Sequence, residues 1–305
     1  MKPALRPGLL PLWRAKDTVQ IGIDPRRAVA ISGLSEAAEV VRLLDGSRDR
    51  DQLIAEAGRR GVPAALTERV IGLLAAAGAI VDFPSEILRS MQPELRRQLM
   101  PVLTTASLSA QDGDGGASLL ARRSSCTVQV RGCGPVAALV ADLLTCSGLA
   151  AAGPASAPRQ ARPPDLLVLV GRPSLDETTE LLRSRQTYLA VCADEAIGVV
   201  GPLVRPGVTA CLRCIDLAKA QRDLAWPLIL AQLAGRSAEP SGCDAVLATS
   251  VAAQAATQAL AFADRSQPPP ATVNATLELV LPSWQWRRRS WLPHPACICG
   301  GSSAD

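Results

Sequence analysis

Two cysteine pairs constrain this chain more than any other feature: Cys211-Leu-Arg-Cys214 and Cys297-Ile-Cys299. A Cys-x-x-Cys turn aims two thiols at one point, and two such pairs far apart in sequence complete a tetrahedral four-sulfur site with no open position. A closed site of this kind is structural, so we expect zinc held by Cys211, Cys214, Cys297 and Cys299, tying the carboxyl-terminal tail to the sheet ahead of it. One residue separates the second pair instead of two, which tightens its geometry. His294, the one histidine in the chain, is an alternative ligand, with a solvent-exposed side chain the simpler reading. Arg205 and Arg213 favour thiolates electrostatically. The other five of the nine cysteines stand singly among apolar residues and read as small buried hydrophobes. Without a secretion signal, reduced thiols or metal ligands are expected rather than disulfides.

Composition limits the function classes. A chain of 305 residues suggests about two domains, and 48% apolar against 20% charged residues excludes wholesale disorder. A net charge of +4 is too mild to demand nucleic acid. One histidine leaves little room for histidine acid–base chemistry in a cleft, and no Ser-His-Asp arrangement is evident. The lysines are Lys2, Lys16 and Lys219 alone. No apolar run reaches the ~18 residues of a membrane span, and Pro7, Gly8 and Pro11 interrupt any signal-peptide core. The expectation is a soluble cytoplasmic protein with neither membrane nor nucleic acid as partner.

Three stretches follow one another. In residues 1–90, Thr18–Ile23 alternates as a strand and Ala28–Ile31 forms a second after the Asp24-Pro25 turn. Three short helices are predicted next, capped at Ser35, at Ser47 and by Pro63 in a first turn. The third carries Leu66, Val70, Leu73 and Leu74 on one stripe, and Ala79–Phe83 closes the pattern as a strand. Strands, three short helices and a closing strand make a winged-helix pattern. Residues 85–100 read as one or two helices broken at Pro93, and 91–125 as a helical segment passing into a polar linker over Thr104–Ser125. Residues 126–305 alternate strands and helices, which predicts an α/β domain with a mainly parallel sheet. Its strands are Thr127–Arg131, Leu166–Val170, Tyr188–Ala193, Ile197–Val204, Leu277–Leu281 and Trp284–Trp291. Cys243–Ala263 is its long helix.

Gly132-x-Gly134-x-x-Ala137 follows a strand and opens a helix, the setting in which backbone can approach a phosphate. Against a nucleotide stand Pro135, which removes one N–H, the absence of a nearby lysine, and a low-complexity stretch at Ala150–Pro164 where a second strand would end in a ribose-binding acid. A tight turn without nucleotide is the preferred reading. Trp284-Gln-Trp286-Arg-Arg-Arg-Ser-Trp291 admits a nucleic-acid or peptide face, but a ribbon with tryptophans inward and arginines solvated is preferred. Cys243-Asp244 at a helix start reads as inert.

Residues 126–301 resemble the ubiquitin-activating-type (ThiF/MoeB-like) family. The resemblance rests on the glycine turn, the strand Leu166–Val170, Gly201-Pro-Leu-Val-Arg-Pro-Gly207 leading into Cys211-x-x-Cys214, the helix Ala245–Ala263 and the closing cysteine pair. Gly201–Leu233 and Pro293-His-Pro-Ala-Cys-Ile-Cys299 look like one branch, the leader-peptide-binding cyclodehydratase partner proteins of azole-peptide (TOMM/RiPP) biosynthesis. Trp13, the strands at 18–31 and Leu43-Leu-Asp-Gly-Ser47-Arg-Asp-Arg-Asp51 resemble the PqqD-like recognition element fused ahead of such domains.

The resemblance implies a winged-helix domain followed by a Rossmann-like ThiF-type domain with a structural zinc site. It implies a precursor (leader) peptide as ligand, a YcaO-type cyclodehydratase as partner, and a homodimer. The leader would add as a strand to the winged-helix edge, with pockets near Val70, Leu73 and Leu74 reading its side chains. Active family members adenylate a carboxyl terminus with ATP and Mg²⁺. Gly171-Arg-Pro stands where their Asp-x-x-Asp-Asn-like stretch would be, so ATP is not expected to bind, and Gly132, Gly134 and Ala137 are read as a remnant nucleotide site. No catalytic residue is assigned. The rivals are an active adenylyltransferase, an NAD(P) oxidoreductase and a winged-helix DNA-binding regulator.

Overall fold

A computed structural model describes residues 2–32, 36–82, 92–110, 113–153, 162–234 and 242–300. The chain divides into two compact units, Met1–Ala121 and Arg122–Asp305.

In the first unit, β2 (Pro11–Ala15), β3 (Thr18–Ile21) and β4 (Val29–Ser32) form an antiparallel sheet in the order β2-β3-β4. A second, two-stranded antiparallel sheet pairs β1 (Pro3–Leu5) with β5 (Ile80–Asp82). The strands β1 and β2 escape a propensity argument because Pro3 and Pro11 read against strand. Both prolines begin their strands, where the missing N–H is tolerated.

Three helices sit between β4 and β5: α1 (Ala37–Leu43), α2 (Arg50–Arg59) and α3 (Ala64–Ala76). The expected cap Ser35 lies outside the described residues. Ser47 is not the cap of α2. Asp49 is, in a full capping box with Gln52, while Ser47 bonds the Asp45 carboxylate instead. Pro63 caps α3 as backbone, with Thr67 N–H bonded to its carbonyl. Buried faces of all three helices meet Val19, Ile21 and Ile31 of the sheet in one core.

The polar stretch read as linker is largely helical. Helix α4 spans Pro93–Ala110 through an internal Pro101, and α5 spans Ala117–Ser125. An interior proline costs about 3 kcal/mol, which is why sequence rules stop a helix there. Here burial of Leu103, Ala106 and Ser107 offsets that cost.

The second unit holds a seven-stranded sheet ordered β12-β11-β10-β9-β8-β6-β7. Its strands are β6 (Thr127–Arg131), β7 (Ala150–Ala152), β8 (Leu166–Val170), β9 (Tyr188–Asp194), β10 (Ile197–Val204), β11 (Ala275–Val280) and β12 (Gln285–Ser290). Strands β7, β6, β8 and β9 are parallel and β10 to β12 antiparallel, so the sheet is mixed where a mainly parallel one was expected. Three alanines suffice for β7 in the stretch expected to hold no strand.

Along β8 the side chains alternate between two cores. Leu166 and Val168 face α6 (Gly134–Cys146) and α10 (Ala245–Ala263), whereas Leu167 and Leu169 face α7 (Leu175–Arg183) and α8 (Leu212–Ala220). Helix α9 (Trp226–Ala234) follows α8. Among the described residues α10 has the length and apolarity of a membrane span, contrary to the expectation that no stretch would. Its fully buried row of Ala248, Val251, Ala252, Ala255 and Ala259 packs on the sheet instead. The close approach needs Gly198 on β10, where a Cβ would fall 2.3 Å from Val251.

The late hairpin β11–β12 is the expected ribbon. Trp286 is half-buried against the core, Trp291 is buried, Arg287 and Arg288 are solvated, and Arg289 lies 4.4 Å over the Trp291 ring. Trp284 departs from the inward pattern and is exposed.

Candidate functional site

The four cysteines come together. Cys211 is the N-cap of α8 and Cys214 lies in its first turn, where free N–H groups and the positive end of the helix dipole favour thiolates. Cys297 and Cys299 sit on the tail after β12, in a turn closed by Cys297 N–H to the His294 carbonyl. All four sulfurs lie within 4.8 Å of one another. Neighbouring pairs are 3.7 Å (Cys211–Cys214), 3.6 Å (Cys211–Cys297) and 3.5 Å (Cys214–Cys299) apart. A tetrahedron with metal–sulfur bonds of about 2.3 Å requires sulfurs about 3.8 Å apart, so the cluster fits a four-thiolate metal site. Cys211 and Cys214 share a hydrogen bond that pushes the Cys211 thiol up and holds Cys214 down, at about 4. The His294 backbone N–H also stabilises the Cys214 thiolate. The His294 side chain is half-buried, not solvent-exposed, and stands outside the ligand cluster.

Sequence reading missed Asn274. Its side-chain carbonyl accepts the Ala210 N–H at 2.8 Å and its backbone carbonyl accepts the Trp291 N–H at 2.8 Å. One residue thus ties down the segment that leads into each cysteine pair. Its φ of 50° is a left-handed conformation that asparagine tolerates better than most residues.

The glycine turn is different. Gly132 has φ 129°, and a Cβ there would lie 2.2 Å from the Val170 carbonyl oxygen. The glycine is therefore required by the packing of the turn against the end of β8. Cys133 caps α6 with no side-chain bond, Pro135 stands in its first turn, and Ala137 is buried under it. Gly134 has φ 80°, again a conformation that favours glycine. The turn lies at the topological switch between β6 and β8, where open α/β sheets take ligands.

Beside that switch a cavity of about 180 Å³ runs along the α8 side of the sheet. Its charged lining residues are Arg172 after β8, Arg213, Asp216 and Lys219 on α8, and Glu278 on β11, with Leu230 and Leu233 of α9 as an apolar wall. The Trp226 indole N–H donates to Asp216 at 3.0 Å, and the Lys219 ammonium lies 4.4 Å above the Trp226 ring. Burial pushes the Asp216 carboxyl up and the Lys219 ammonium down. The Cys192 thiol also lines the cavity, and burial pushes its pKa up. The arrangement suits a largely apolar ligand with a charged end. These residues are scattered in sequence; the isolated Lys219 was the one signal that could have flagged them.

In the first unit, Val70 and Leu74 are fully buried core residues of α3, while Leu73 is 46% exposed. A pocket for a ligand side chain needs an open wall, and of the three only Leu73 provides one. Every residue of β2 is exposed, Leu12 and Trp13 among them.

Neither a family model nor a curated protein matches the sequence. Solved structures do match the fold. The heterocyclase TruD superposes with a TM-score of 0.67 at 17% identity, over 98% of this chain and 43% of its own. A heterocyclase in complex with substrate and cofactor gives 0.68 at 18% identity, over 98% of this chain and 39% of its own. E. coli MccB with ATP gives 0.62 at 14% identity, over 99% of this chain and 100% of its own. This chain thus spans less than half the length of the heterocyclases and the whole of MccB. At such identities the likeness is one of fold.

Proposed function

We propose that this protein binds the leader of a ribosomal precursor peptide and presents it to a YcaO-type cyclodehydratase for azoline or azole formation in bacteriocin-like RiPP biosynthesis. The observation that carries the reading is the likeness to heterocyclases along 98% of this chain. That likeness reaches 43% of the heterocyclase, and we assign the catalytic remainder to the partner. The first unit is read as the winged-helix, PqqD-like recognition module at residues 1–90, followed by a helical segment at 91–125 and the ThiF-like domain at 126–305. Strands β2 and β4 each have one unpaired edge among the described residues, and a leader strand would extend one of them toward α3. Leu73 would touch the leader, and Val70 and Leu74 would form the packing beneath it. The four cysteines would hold zinc as a structural ion, in a cytoplasmic homodimer. Tethering raises the effective concentration of the core peptide at the partner.

Leu73→Arg in the full chain should slow modification of a leader-bearing precursor by the reconstituted pair at least tenfold. It should leave slow modification of the leaderless core unchanged. Full-rate modification of the leader-bearing substrate would overturn the groove.

The cavity favours a second reading, a ThiF-like adenylyltransferase. It places Lys219 and Arg172 beside the switch point of a fold shared with MccB, which has been solved with ATP. Calorimetry with ATP·Mg²⁺ separates the two. Micromolar binding with pyrophosphate exchange would establish adenylation, and silence at millimolar nucleotide would leave the scaffold.

A further inference from the structure

The second unit has another cavity, at the opposite end of the sheet from the glycine turn. It measures about 360 Å³ and lies against Cys126 and Asp165, the residues just before β6 and β8. Three arginines line it: Arg122 from α5, Arg205 after β10 and Arg265 after α10. None of the three is in an ion pair among the described residues. Asp264, next to Arg265 in sequence, is taken by the Arg123 guanidinium, which grips both its oxygens at 2.7 Å. The Arg122 Nε is buried and has no acceptor among the described residues. An orphan charged donor of this kind is what a ligand oxygen would satisfy.

The opposing charges are smaller than the three guanidiniums. Asp165 lines the cavity, but it already accepts the Thr127 N–H and O–H at 2.8 and 2.9 Å and has Arg162 nearby. The carboxyl ends of α5 and α10 point here too, each contributing about half a negative charge. About one net positive charge remains, and about two if Arg162 is counted against Asp165. Planar guanidiniums on several sides match a tetrahedral oxyanion better than a carboxylate does, because each can donate to two oxygens. Phe262 and Pro270 supply an apolar wall beside the charged one, and the volume is in the range that holds a small ligand.

We propose that this cavity binds a phosphate group, with Arg122, Arg205 and Arg265 as donors. The inference does not rest on the peptide reading. Free phosphate and the phosphate of a mononucleotide share this chemistry.

The test is calorimetry of the full chain at low salt with inorganic phosphate and, separately, with AMP. Arg205→Gln and Arg265→Gln, both at exposed positions, serve as variants whose melting temperatures should stay close to the parent's. Each variant should weaken binding about tenfold, the loss expected for one charge-assisted contact. Equal affinity for the two ligands assigns free phosphate. Tenfold tighter AMP binding, competed by phosphate and weakened by both variants, assigns a mononucleotide. The proposal fails if neither ligand binds at millimolar concentration. It also fails if binding survives both substitutions unchanged, since the ligand then sits elsewhere, such as at the glycine turn.

Discussion

The second unit contains two motif-bearing loops, the cysteine pairs the stronger signal in sequence and the glycine turn the weaker, and the structure treats them differently. At the glycine turn the protein itself accounts for the motif, because the Val170 carbonyl occupies the space a Gly132 side chain would need. At the cysteine cluster, no packing requirement among the described residues accounts for four sulfurs within 4.8 Å of one another at the start of a helix. Packing explains a close backbone approach, but it does not explain a collection of thiols whose charged forms repel. A motif is informative to the extent that the fold leaves it unexplained.

The largest effect that could break this comparison is metal removal. If the cluster holds zinc, chelation or Cys214→Ala should lower stability by about 3 kcal/mol or more, with one zinc per chain by metal analysis before treatment and none after. Asn274→Ala should release the metal faster while leaving the cysteines in place. An unchanged melting temperature on chelation would put the cluster on the same footing as the turn.

Gly132→Ala tests the other side. It forces a side chain against backbone at positive φ and should cost about 3 kcal/mol. The loss should be the same with and without ATP·Mg²⁺, followed by thermal melting. A loss visible mainly in nucleotide affinity would make the turn a working phosphate cradle.

The smallest effect concerns Asp165, which bridges the starts of β6 and β8, the strands whose far ends form the turn. Hydrogen bonds from Thr127 hold its carboxyl below the usual carboxylate range. A depressed folded-state pKa gives stability that is present above the unfolded value near 4 and is lost as pH falls through the folded value. Thr127→Val should therefore narrow the difference in stability between pH 7 and pH 3. Because Asp165 is exposed, the change should stay under about 1 kcal/mol. Acid titration of melting temperature measures it.

The continuous apolar run Leu166–Val170, the long alanine-rich helix ending at Ala263 and the cysteine spacing were legible because each is a local pattern with a local cause. Other features were not. Ser47 looks as good a cap as Asp49, and the choice followed from where the turn after α1 placed each side chain. Helix α4 crosses Pro101 because burial of Leu103 offsets a penalty that local rules treat as decisive. The α3 stripe identified one face correctly but could not separate Val70 and Leu74, which the core encloses, from Leu73 at its rim.

By itself the sequence determined the longer strands and the long Ala245–Ala263 helix of the second unit, and that two distant cysteine pairs converge, since those follow from period and spacing; the short strand Ala150–Ala152 and the helices Leu212–Ala220 and Trp226–Ala234 were not among its expectations. Tertiary structure alone decided that Gly132 answers to Val170, that Asn274 holds both cysteine-bearing segments, and that Lys219 meets Arg172 in one cavity and three arginines meet in another. These are contacts between residues far apart in the chain, and no local period encodes them. They exist because the sheet brings together strand ends whose neighbours in space are not their neighbours in sequence.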